Sequence, residues 1–130
     1  MTREEVLAAA NALVDAFGAH DTDRYFACFA DDATLLFYTT PQLLPSLSAF
    51  KDEFASWERD LGYHVLNCVS TDQHVQLLRD DVAVFTHSVL TNVTLEGAQT
   101  EQRERETIVF RRQPDGRWLA VHEHLSPAPS

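Results

Sequence analysis

Two glutamates and a histidine carry the acid–base chemistry that this chain could perform. Side chains alternate between faces along a strand. Near the C-terminus, Glu104, Glu106, Ile108 and Phe110 therefore share one face, opposed by Arg103, Arg105, Thr107, Val109 and Arg111. On the next strand Leu119, Val121, Glu123 and Leu125 oppose Trp118, Ala120, His122 and His124. With Gln113–Gly116 as the turn, Arg112 pairs with Arg117, Ile108 faces Val121 and Glu106 faces Glu123. The more aliphatic face (Ile108, Phe110, Leu119, Val121, Leu125) is expected to be concave. That register sets two carboxyls side by side, where like charge and burial raise one pKa. One protonated and one ionised carboxyl can work as general acid and base. His87, mid-strand among apolar residues, is the alternative base if its ring points inward. The competing reading makes Glu106 and Glu123 wet rim carboxylates and His87 a hydrogen-bonded core residue.

The apolar walls expected around this pair are Phe37, Phe54, Trp57, Ile108 and Phe110, with Tyr38 close by. Tyr38 and Trp57 each pair apolar surface with one polar atom. His122 and His124 share a face, but zinc needs a third and usually a fourth ligand, and nothing fixes His64, His74 or His87 on the same patch. They read as interface histidines, so no metal site is expected. Cofactors are likewise not expected: no Gly-rich phosphate loop, Ser/His/Asp arrangement or reactive-cysteine signature is present.

Helices must come first in the chain. Val6, Ala10, Leu13, Val14 and Phe17 recur at helical spacing up to Gly18. Asp21 caps a short second helix carrying Tyr25, Phe26 and Phe29, ended by Asp31-Asp32. Ala33 to Tyr38 reads as a strand. Ser46 or Ser48 opens a third helix with Phe50, Phe54, Trp57 and Leu61 as its stripe and Gly62 as its stop. The pattern then switches to period two, predicting strands over 64–78, 82–95, 100–112 and 117–125. Arg79-Asp80-Asp81, Glu96-Gly97 and Gln113–Gly116 supply the turns. Helices followed by a meander of long strands make an α+β domain.

Length and charge bound the rest. At 130 residues the chain forms one domain with a real core, assigned to 1–125, and a short tail over 126–130. A formal charge of -10 repels phosphate backbones, which argues against a nucleic-acid partner. No apolar run approaches the ~18 residues of a membrane span. Cys28 and Cys68 lack CxxC spacing and read as reduced thiols, so a cytoplasmic setting is expected.

The C-terminal run adds a resemblance. Glu106-Thr107, Asp115-Gly116-Arg117-Trp118 and Val121-His122-Glu123-His124-Leu125-Ser126 together closely resemble the end of the association domain of calcium/calmodulin-dependent protein kinase II. Phe29-Ala30-Asp31-Asp32-Ala33-Thr34 resembles a phrase common in SnoaL-like proteins, which share the nuclear transport factor 2-like fold. The resemblance implies a cone: three N-terminal helices packed on a curved, mostly antiparallel sheet, with a cavity between them. It also sets limits. Aligned with ketosteroid isomerase of the same fold, the base, tyrosine and second aspartate positions hold Phe37, Leu13 and Ile108, which removes that mechanism. The association domain's cavity arginines fall at Ile108 and near Val89, so a neutral or apolar ligand is favoured over a carboxylate. Glu123 departs from that domain, which has an aromatic residue there.

Two functions remain. One is a small cavity-bearing protein binding a small, largely apolar ligand, with cofactor-free acid–base chemistry of isomerase, dehydratase or cyclase type where it is an enzyme. The other is a non-catalytic association module. A homodimer through the convex sheet face is expected in either case, with Arg103, Arg105, Val109, Trp118, Ala120, His122 and His124 on that face.

Overall fold

The computed structural model describes residues 2–129. Helix α1 spans Thr2–Gly18, α2 Thr22–Phe26 and α3 Leu47–Leu61. The strands are β1 Phe29–Phe37, β2 His64–Arg79, β3 Val82–Leu95, β4 Ala98–Arg112 and β5 Trp118–Pro127. They form one sheet in the order β1-β5-β4-β3-β2. Only the β1–β5 pair is parallel. The expected α+β architecture is what the chain adopts.

Capping chemistry sets the helix bounds. Ser46 accepts a hydrogen bond from the Ala49 N–H at 3.0 Å, and Gly62 takes the left-handed conformation (φ 62°) that ends α3. Asp21 caps α2 by accepting from the Arg24 N–H. The expected second helix runs too far, since α2 ends at Phe26. Phe29 opens β1 instead, where its ring packs edge-on against Tyr25 and Phe50. Asp31 and Asp32 are not a helix end but the exposed part of an irregularity in β1, between the pairs Phe29–Ala120 and Thr34–His122. Asp32 there binds Arg111 through two hydrogen bonds of 2.9 and 3.1 Å.

Alternation along β3 divides the sheet cleanly. Ala83, Phe85, His87, Val89, Thr91 and Val93 are buried, while their neighbours are only partly covered. The buried set faces α1 and α3. The core cluster joins Val6, Ala10 and Leu13 of α1 to Phe50 and Phe54 of α3 and to Phe85, Ile108 and Phe110 of the sheet.

The β4–β5 hairpin departs from the expected register twice. Gln113 N–H bonds the Arg117 carbonyl and Gly116 N–H bonds the Gln113 carbonyl, with Gly116 at φ 94°. The loop is thus one residue tighter than expected, and Arg112 pairs with Trp118. A bulge at Val121 then shifts the register again: Phe110 faces Ala120, but Val109 faces His122. Two single-residue shifts change each pairing but restore the faces beyond the bulge. Glu106 and Glu123 therefore do share the concave face, but not as direct partners. Glu106 lies opposite Leu125, and Glu123 opposite Ile108.

Before the bulge only one shift applies, so the faces there are reversed from expectation. Trp118 and Ala120 point into the core, 6% and 0% exposed, and Leu119 points away. The convex face expected to carry Trp118 and Ala120 carries neither.

Candidate active site

A cavity of about 200 Å³ lies between α1, α3 and the concave side of β2–β5. Helix α1 contributes Leu13, Val14 and Phe17, and α3 contributes Phe50, Phe54, Trp57 and Leu61. The sheet contributes Cys68, His87, Val89, Thr91, Gln102, Glu104, Glu106, Glu123 and Leu125. The walls are largely aromatic. Phe54 and Trp57 lie 5.7 Å apart between ring centroids, as do Trp57 and Tyr63.

His87 is the centre of the polar wall. It is 4% exposed, and its Nε2 lies 2.8 Å from Oε1 of Glu106. Its Nδ1 lies 2.6 Å from the Ser70 hydroxyl. Gln73 Nε2 donates to that hydroxyl at 2.9 Å and also to Asn11. With Nε2–H donating to the Glu106 carboxyl, the neutral ring leaves Nδ1 to accept the Ser70 O–H, while Gln73 donates to a Ser70 lone pair. A chain of hydrogen bonds thus runs from the partly exposed Ser70 to the Glu106 carboxylate in the cavity.

Glu123 has the opposite environment. It is 1% exposed, and its Oε1 is fully buried with no hydrogen-bond donor among the described residues. Burial pushes its pKa well above the usual carboxylate range. The charge of Glu106 adds to this, as does the hydrogen bond the protonated acid makes with Glu106. Glu104, also buried, is raised by desolvation and by the charge of Glu106, against the lowering effect of the Tyr38 hydroxyl, which donates to it at 2.6 Å. Tyr38 itself is pushed up to about 12, by burial first and then by Glu104. Burial raises Tyr25, Tyr63 and Cys68 too, Cys68 to about 11, so the wall offers neutral phenols and a neutral thiol.

The expected residues divide into three groups. Glu106, Glu123, His87, Phe37, Phe54 and Trp57 come together on the cavity wall. Tyr38 is half-exposed just past β1 and reaches the cavity through Glu104. Ile108 and Phe110 do not line the cavity. Both are fully buried in the close-packed core nearer the hairpin turn, because the cavity opens towards the other end of β4. Sequence reasoning passed over Glu104, Gln102 and Ser70. Alternation had already put Glu104 on the face of Glu106, and one more step of two reaches Gln102. Ser70 carried no signal, since its partnership with His87 depends on the β2–β3 pairing, where Ser70 lies opposite Val89. His122 faces away from the cavity and bonds Thr34 across the β1–β5 pair at 2.8 Å.

The family model described as a SnoaL-like domain matches residues 6–130. Among solved structures, a ketosteroid isomerase-like protein from Erwinia carotovora atroseptica is similar, with TM-score 0.79 at 20% identity over 98% of this chain and 96% of that one. The CamKII hub homology domain of Chlamydomonas reinhardtii gives TM-score 0.75 at 23% identity over 99% and 100%. An NTF2-like protein of unknown function from Prochlorococcus marinus gives 0.80 at 16% identity over 100% and 95%. No curated protein matches. At these identities the structural likeness establishes the fold and leaves the chemistry to the site.

Proposed function

This chain belongs to the SnoaL-like family, and from that premise we propose that it binds a small, largely apolar ligand in the cavity and moves a proton on it without a cofactor. The observation that carries this reading is the buried Glu123 beside Glu106, with His87 hydrogen-bonded to Glu106 at 2.8 Å. Glu106, held in place by its hydrogen bond to His87, is the base that removes a proton. Glu123, kept protonated by burial, is the acid that donates to a developing oxyanion. His87 is the alternative base, and it acts only once the Ser70 hydroxyl releases Nδ1. Phe37, Phe54 and Trp57 hold the apolar body, and Tyr38 orients Glu104 at the mouth. Such a pair suits enolisation, and with it isomerisation, dehydration or cyclisation.

The test is exchange of α-protons from a cyclic ketone that fits the cavity, such as cyclohexanone, in deuterated buffer. NMR should show exchange faster than in buffer alone, and Glu106→Gln should return it to the buffer rate. Equal rates with and without protein, or no effect of Glu106→Gln, would overturn the catalytic reading.

Self-association through the convex face belongs to the same proposal, but without its expected aromatic anchor. Leu36 and Val69, 37% and 49% exposed, support it, since neither is covered by the chain's own helices. Val109 and His122 are paired across β4 and β5 on the same face. Leu36→Glu with Val69→Glu should lower the sedimentation-derived mass from dimer to monomer. A wild-type monomer at micromolar concentration contradicts it.

A further inference from the structure

The polar wall of the cavity is acidic. Glu104, Glu106 and Glu123 all line it, and no Lys or Arg does among the described residues. A buried carboxyl without a donor is costly, and proteins otherwise pair or neutralise such groups. Glu123 Oε1 is buried without a donor, and its side chain forms part of the wall. The opposite wall presents Phe54, Trp57 and Tyr63, whose ring faces attract cations as well as apolar surface.

We propose that the cavity's ligand is a small organic amine, its ammonium group seated at Glu106 and Glu123 and its apolar body against Phe54 and Trp57. The proposal rests on the ligand-binding reading above and names the ligand's chemical class. An ammonium has three N–H donors pointing in different directions and so can serve more than one carboxyl at once. One of them supplies a donor to the Glu123 Oε1, which has none among the described residues. Among the described residues no three His, Cys, Asp or Glu side chains are arranged to hold a metal ion, which turns the choice of cation to an organic one. A carboxylate ligand would add a further negative charge to the same wall. The volume suits one ring with a short aminoalkyl arm, since about 150 Å³ already accommodates benzene and this cavity has about 200 Å³.

The test uses three ligands of one shape on the intact protein: 2-phenylethylamine, 2-phenylethanol and 3-phenylpropionate, each titrated calorimetrically at neutral pH. The amine should bind at least about tenfold tighter than the alcohol, the worth of a charge-assisted hydrogen bond. The carboxylate should bind weakest. Glu123→Gln should remove most of the amine's advantage and leave the alcohol within about twofold. Glu106→Gln gives the same comparison if the first variant fails to fold, which thermal unfolding reports. Equal affinity of amine and alcohol, tighter binding of the carboxylate, or an amine preference that survives both substitutions would overturn the proposal. If the alcohol binds and the amine does not, the amine assignment alone fails. If neither binds, the ligand-binding reading fails with it.

Discussion

The two ends of the β4–β5 hairpin share strands and a concave face, yet one is solid and the other hollow. Near the turn, Phe110 and Ile108 meet Trp118 and Ala120, all buried and packed into the main core. Beyond the Val121 bulge the same face carries Glu104, Glu106 and Glu123 and borders the cavity. The difference comes from the bulge. One extra residue exchanges the faces of β5, so that Trp118 and Glu123, five positions apart in sequence, both point inward. Strict alternation allows only one of them to do so. A hydrophobic anchor and a buried acid can thus occupy one strand and one face.

The largest expected effect lies at the solid end. Phe110→Ala should destabilise the fold by about 3–5 kcal/mol in urea unfolding, the cost of a large cavity in a packed core. A loss under ~1 kcal/mol would mean that the turn end is as loosely filled as the cavity end.

The hollow end should respond to pH instead. Glu123 has a raised pKa in the folded protein, so its favourable contribution is complete below the unfolded value of about 4.3. That contribution is lost as pH rises through the higher folded value. Glu123→Gln cannot ionise and escapes this loss. The variant should gain on the wild type as pH rises, by an amount on the order of 1–3 kcal/mol in mildly alkaline buffer. Unfolding curves that stay parallel between pH 5 and pH 8 would place Glu123 in the ordinary carboxylate range.

Ser70→Ala should have the smallest effect, about 1 kcal/mol for one hydrogen bond. Its sharper readout is the His87 ring. Loss of the Ser70 donor should broaden or split the His87 imidazole ¹⁵N signals as the proton distributes between Nδ1 and Nε2. Unchanged ¹⁵N shifts would show that Glu106 alone orients the ring.

The fold was largely legible in the sequence, and the site in part. Ser46, Gly62 and the Asp80-Asp81 turn mark their boundaries because capping and turn chemistry is local. Period-two patterning put Glu104 and Glu106 on one face of β4 and, through two compensating shifts, Glu123 on the matching side of β5. The pairing itself was not legible. A three-residue loop and a four-residue loop differ only in how Gly116 is used, and the Val121 bulge has no residue-type signature. Trp118 was misplaced for that reason, and with it the expected dimer anchor. Phe29 was read as helical because its spacing from Tyr25 fits a helix, whereas its burial against Phe50 comes from tertiary packing. Ile108 and Phe110 were assigned to the cavity because alternation tells which face a residue takes, but not how far along the strand the cavity extends.

The central claim is that burial and the neighbouring Glu106 keep Glu123 protonated well above the ordinary carboxylate range. Carboxyl ¹³C shifts of the two glutamates, followed by NMR across a pH titration, test it most directly. Glu123 should titrate well above the ordinary ~4.3 of a glutamate, and Glu106→Gln should bring its midpoint down by removing the neighbouring charge. A Glu123 midpoint in the ordinary range, or one that Glu106→Gln leaves in place, would contradict the account.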